Sequence, residues 1–122
     1  MKKILLVDDV STNLICVSKI LQDRYQLLAA KSGEDALALM KENNPDLILL
    51  DICMPEMNGF ELMEKIQAIM GGTNIPVIFL TGEADVKSEM KGRELGAVDF
   101  IRKPFLPVVL IDSIERALAH DA

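Results

Sequence analysis

The chain has 122 residues, half of them hydrophobic, with 19 acids against 13 bases and a formal net charge of -6. That length suits one domain, residues 1–122, around a single sizeable core, and the apolar fraction excludes a disordered chain. The acidic surface repels phosphate backbones and anionic lipid, so this domain is expected to bind neither nucleic acid nor membrane directly.

The first apolar run, Lys3–Val7, has the length of a strand and stops at Asp8-Asp9. It is too short for a signal peptide or a membrane span, and the expected location is cytoplasmic. A helix follows over about Ser11–Asp23, with Leu14, Val17 and Leu21 on one face at the 3-4 spacing. A second strand, Tyr25–Ala30, leads to Ser32-Gly33-Glu34-Asp35, where a serine with an acid three residues on predicts a capped helix start. That helix buries Ala36, Leu37 and Met40 and stops at Asn43-Asn44-Pro45.

The third run, Leu47–Leu50, is apolar throughout, as a strand covered on both faces requires, and it ends at Asp51. A helix near Phe60–Met70 turns Met63, Ile66 and Met70 inward, and Gly71-Gly72 closes it. The fourth run, Ile75–Leu80, carries Pro76 near its start and ends at Thr81. The next helix, about Asp85–Leu95, has a thin apolar face and Gly92 in its body, a cost of roughly 1 kcal/mol relative to alanine. Gly96 suits its C-terminal turn. The fifth run, Ala97–Ile101, leads to Lys103-Pro104, and a last helix over about Pro107–Ala119 faces Leu110, Ile114 and Leu118 to the core.

Five strands alternating with helices, connected right-handedly, predict an α/β three-layer sandwich with a parallel five-stranded sheet. Ligands of such sheets sit at the carboxyl ends of the strands. Asp8-Asp9, Asp51, Thr81 and Lys103 all fall there. Two unit charges about 4 Å apart repel by on the order of 4 kcal/mol at an effective dielectric near 20, so three carboxylates need a proton or a cation. A few hard oxygens with room for water and a phosphate suit Mg²⁺. Lys103 adds a positive charge for a phosphoryl group, Thr81 adds a hydroxyl, and Asp51, after the most buried strand, is the best-placed nucleophile.

Val7-Asp8-Asp9, Asp51 with Met54-Pro55 and Gly59, Leu80-Thr81-Gly82 and Lys103-Pro104-Phe105 together resemble the receiver domains of two-component response regulators. The likeness runs from Ile4 to Ala119. It implies a doubly wound sheet of flavodoxin-like order 2-1-3-4-5. It also implies Asp51 as phosphoacceptor, and Mg²⁺ held by Asp9, Asp51, the backbone carbonyl of Cys53 and, partly through water, Asp8. Lys103 would pair with phosphoryl oxygens across a cis bond to Pro104, with Thr81 as switch hydroxyl and Phe100 as switch aromatic. Cys53 and Glu83 stand where the family tunes the lifetime of its phosphoryl group. The implied partners are a histidine kinase or phosphotransfer protein, and an output domain or partner on the face of the fourth helix, fifth strand and last helix. A phosphorylation-dependent homodimer is compatible with that face.

Rival readings are a Mg²⁺-dependent phosphatase, a receiver-like module without phosphorylation, and a flavin-binding domain. The phosphatase would want a second acid where Cys53 stands. The intact Asp9, Asp51, Thr81 and Lys103 speak against an inert module, and the loops lack a phosphate cradle for flavin. The domain is thus expected to be a switch, not an enzyme acting on outside substrates. Cys16 and Cys53 have no metal-like spacing and read as reduced thiols, Cys16 as helix packing. His120, three residues from the end, reads as surface rather than as a phosphorelay donor.

Overall fold

A computed structural model of the chain describes residues 1–70, 74–82 and 85–120. Strands and helices alternate as β1 (Lys3–Val7), α1 (Ser11–Leu21), β2 (Gln26–Ala30), α2 (Gly33–Glu42) and β3 (Leu47–Leu50). They continue as α3 (Gly59–Met70), β4 (Val77–Thr81), α4 (Val86–Glu94), β5 (Asp99–Arg102) and α5 (Pro107–His120). All neighbours in the sheet are parallel, in the order β2-β1-β3-β4-β5. This is the expected flavodoxin-like topology.

Alternation along the strands divides the core in two. Ile4, Leu6, Leu47, Leu49, Ile78 and Leu80 turn to α1 and α5, where Leu14, Val17, Leu21, Leu110 and Ile114 meet them. Leu5, Val7, Ile48, Leu50 and Phe79 turn the other way, onto Ala36, Met40, Phe60, Met63 and Ile66. Because β1, β3 and β4 feed both layers, almost every residue in them is apolar. β2 lies at an edge and is only partly buried.

Local chemistry sets the helix starts. The Ser32 hydroxyl accepts from the Asp35 amide at 3.1 Å, as its spacing predicts. α3 has a reciprocal box that the sequence reading did not pick out: Asn58 Oδ1 accepts from the Glu61 amide at 2.9 Å, and Glu61 returns the bond to the Asn58 amide at 3.1 Å. Asp85 caps α4 by accepting from the Ser88 amide at 2.7 Å. Gly96 closes α4 at φ +106°, with the Gly96 amide on Arg93 and the Ala97 amide on Gly92, the paired bonds of a Schellman end.

Several expectations shift, and β5 runs Asp99–Arg102 rather than Ala97–Ile101. α1 ends at Leu21 rather than Asp23, and Pro76 precedes β4 rather than sitting in it. Leu37 and Leu118 are only half-buried. Cys16 is exposed, not packed: Leu14, Val17 and Leu21 define the buried stripe, and position 16 faces away from it. The expected stop at Gly71-Gly72 lies outside the described residues.

Candidate functional site

Asp8, Asp9, Asp51, Thr81 and Lys103 gather at the carboxyl edge of the sheet, whereas Phe100 pairs with Phe79 inside it. The strand ladder runs one step beyond the strands there. The Asp8 amide donates to Ala30, the Asp51 amide to Val7 and the Lys103 amide to Thr81, at 3.1, 3.0 and 2.9 Å. The backbones of the reactive residues are therefore held in sheet register although they stand in loops.

Asp8, Asp9 and Asp51 each offer a carboxylate oxygen within 4.8 Å of the others. Asp8 and Asp51 are each only 7% exposed. Lys103 Nζ lies 2.6 Å from Asp8 Oδ2 and 3.8 Å from Asp51 Oδ2. The lysine is thus held by Asp8 rather than by Asp51. Thr81 is fully buried below the cluster. The Lys103–Pro104 peptide is cis, as the resemblance implied.

Burial pushes the Asp51 carboxyl above its ordinary pKa, and the nearby Asp8 charge adds to this. Hydrogen bonds from the Thr81 hydroxyl and the Cys53 amide, together with the Lys103 charge, pull it back only in part. Asp51 Oδ1 is buried and accepts no hydrogen bond. A buried, unsatisfied oxygen amid two further carboxylates is a place for a cation, and the all-oxygen donor set fits Mg²⁺.

Gly59 closes the site from below. Its amide donates to Ile52 at 2.8 Å, and a Cβ there would run into the Asp51 carbonyl oxygen. Glu56 in the same loop has φ 67°, the left-handed region. Neither aspartate caps α1: the N-cap is Val10, and Asp8 instead accepts from the Val10 amide at 2.9 Å.

Two features were missed in the sequence. Asn13, in the first turn of α1, donates from Nδ2 to Asp8 Oδ2 at 3.2 Å. Its only sequence signal is its distance of five residues from Asp8. The second is the placement of Phe100, expected only as the switch aromatic: it lies inward, 8% exposed, against Phe79. Glu83 lies outside the described residues.

The family model of the response regulator receiver domain matches residues 4–115. The chain belongs to this family. A receiver domain is a phosphoacceptor signalling switch of two-component systems. PilH of Pseudomonas aeruginosa is 33% identical to this receiver domain over 98% of the chain and 99% of its own length. A probable cyclic di-GMP phosphodiesterase of Vibrio cholerae is 46% identical over 83% of the chain, which covers 23% of that protein. The chain spans about half the length of related probable transcriptional regulators, such as ycf27 of Porphyridium aerugineum at 48%. The structure of the Vibrio cholerae chemotaxis protein CheY4 superposes with a TM-score of 0.90 at 34% identity, covering 97% of this chain and 99% of the other. Among the described residues no helix is long and apolar enough to cross a membrane.

Proposed function

We propose that Asp51 is the phosphoacceptor of this receiver domain. The observation that carries the reading is its buried carboxyl, with one oxygen unsatisfied, 3.8 Å from a lysine that a second carboxylate holds. A carboxylate stripped of water is raised in energy and attacks more readily. An Asp51 oxygen forms a bond to the phosphorus of a phosphohistidine on a histidine kinase or phosphotransfer protein. The phosphorus–nitrogen bond breaks, and the imidazole leaves with the bonding pair. Lys103 shifts from Asp8 to the phosphoryl oxygens, and the buried Thr81 hydroxyl donates to one of them. Asp9, Asp51, the Cys53 carbonyl and, through water, Asp8 would hold Mg²⁺. When bound, the ion neutralises charge on the transferring group.

The readout is an altered α4-β5-α5 face, where Val86, Met90 and Val109 are exposed, presented to an output domain or partner protein. The domain occupies residues 1–122 and works in the cytoplasm. Its only chemistry is its own phosphorylation and dephosphorylation, at a rate tuned from Cys53 and Glu83.

Incubation with acetyl phosphate and Mg²⁺ should add one phosphoryl mass by mass spectrometry, and Asp51→Asn should abolish the gain. An undiminished gain in that variant refutes the assignment. The switch has its own test. Beryllofluoride, an acyl-phosphate mimic, should change hydrogen exchange across Val86–Glu94 and around Phe100. Thr81→Ala should bind the mimic yet transmit less of the change. Full transmission in that variant removes Thr81 from the mechanism.

A further inference from the structure

Asp8 Oδ2 carries two donors at once. Lys103 Nζ holds it at 2.6 Å and Asn13 Nδ2 at 3.2 Å, while Oδ1 takes the Val10 amide at 2.9 Å. The first of these bonds cannot survive the reaction. If Lys103 is to meet a phosphoryl group on Asp51, it must let go of Asp8, a carboxylate only 7% exposed. A buried carboxylate that loses its partner faces a large desolvation penalty, and that penalty opposes the transfer. Asn13 is placed to lower it. Its amide is a neutral donor, anchored in the first turn of α1 and not drawn to a phosphoryl group as an ammonium is.

We propose that Asn13 is a positioning residue of the phosphorylation site: its amide holds Asp8 in place while Lys103 leaves for the phosphoryl group. The inference rests on Asp51 being the phosphoacceptor. Asn13 fits the role in a second respect. It borders a cavity of about 20 Å³ shared with Asp8 and Asp51 and otherwise apolar, with Leu6, Leu14 and Leu49 in its wall. That is room for about one water molecule, so solvent gives little help to Asp8 from that side. Asn13 also lines, with Lys103 and Phe105, the outer groove between α1 and the start of α5. It therefore borders both the cavity beside Asp8 and the groove beside Lys103.

Two variants separate this role from a structural one. Asn13→Ala removes the donor. Asn13→Asp keeps the shape but replaces the donor with a second carboxylate, which grips Lys103 harder and adds an oxygen for the metal. Calorimetric titration should show beryllofluoride, in saturating Mg²⁺, binding severalfold more weakly to Asn13→Ala, because the bond, already made at rest, carries more of the Asp8 charge once Lys103 has left. Asn13→Asp should lose at least as much beryllofluoride affinity while its Mg²⁺ affinity stays level or rises. A merely structural role would weaken both ligands together. The proposal is overturned if both variants bind beryllofluoride as the wild type does. It is equally overturned if Asn13→Asp loses Mg²⁺ and beryllofluoride affinity in parallel with its melting temperature. A wild-type domain that binds no beryllofluoride at all overturns the phosphoacceptor reading itself, and this inference with it.

Discussion

In EDTA at neutral pH, Asp51→Asn should melt several degrees above the wild-type domain. A substitution at the centre of a reactive site raises stability here because the wild-type residue opposes folding. Asp51 is buried beside Asp8 and Asp9, with Oδ1 unsatisfied. Asparagine keeps the shape, retains an oxygen for the Thr81 and Cys53 donors, and turns an amide toward the other two carboxylates. Relief of a buried, unsatisfied polar group is worth about 1–3 kcal/mol. For a chain of 122 residues that is roughly 4 °C per kcal/mol.

The pH dependence gives the prediction a sign that a packing effect would lack. Burial raises the folded-state pKa of Asp51 from its ordinary 3.8. Below 3.8 the carboxyl is protonated in both folded and unfolded chains, and it carries no penalty. As pH rises beyond that value the folded chain keeps its proton longer than the unfolded one, so stability is lost until the raised folded value is passed. The penalty grows as pH rises above the ordinary value, and the advantage of Asp51→Asn should shrink as pH falls toward 3.8. Mg²⁺ should work the other way. It stabilises the wild type by about 2.7 kcal/mol at a hundredfold excess over its dissociation constant, and the variant by less. Melting curves in EDTA and in Mg²⁺ at several pH values decide the matter. An Asp51→Asn domain that melts at or below the wild type in neutral EDTA contradicts the account.

The five strands were legible because a doubly covered parallel strand has to be apolar throughout, as Leu47–Leu50 and Val77–Leu80 are, whereas their order came only through the family resemblance. The acids, Thr81 and Lys103 were legible because a parallel sheet brings all its carboxyl ends to one edge. Asn13 was not, since its role depends on how α1 tilts its first turn over Asp8, and no periodicity encodes that. Cys16 shows the converse. A thiol in a helix reads as packing until the buried stripe Leu14, Val17, Leu21 leaves it outside. The inward ring of Phe100 depends on what stands opposite it, which is Gly92.

Gly92→Ala should lower the melting temperature by several degrees, although alanine in a helix interior normally adds about 1 kcal/mol of stability over glycine. Gly92 is the one buried residue of α4, and it rests on an aromatic row. Phe79 is fully buried between Phe60, with ring centroids 5.4 Å apart, and Phe100, 6.1 Å away. A Cβ at position 92 would stand 3.0 and 3.2 Å from two atoms of the Phe79 ring and 3.5 Å from the Phe100 ring. Phe79 is hemmed in by both neighbours, so either α4 rises or Phe100 gives way. Overpacking of this kind costs about 1–3 kcal/mol, enough to reverse the gain in helix propensity. α4 is the weaker party. Its other ties are mostly partly exposed polar contacts: Lys91 over the Phe60 ring at 4.9 Å, Arg93 to Asp99 at 3.6 Å and Gln67 to the Leu95 carbonyl at 2.6 Å. Hydrogen exchange should therefore quicken across Val86–Glu94 in the variant while β4 stays protected. Since α4 belongs to the face proposed to carry the signal, the same variant should blunt the exchange change that beryllofluoride is expected to produce in the wild type. A melting temperature that rises, as for an ordinary exposed helical glycine, would show that Gly92 is not what lets Phe100 lie inward.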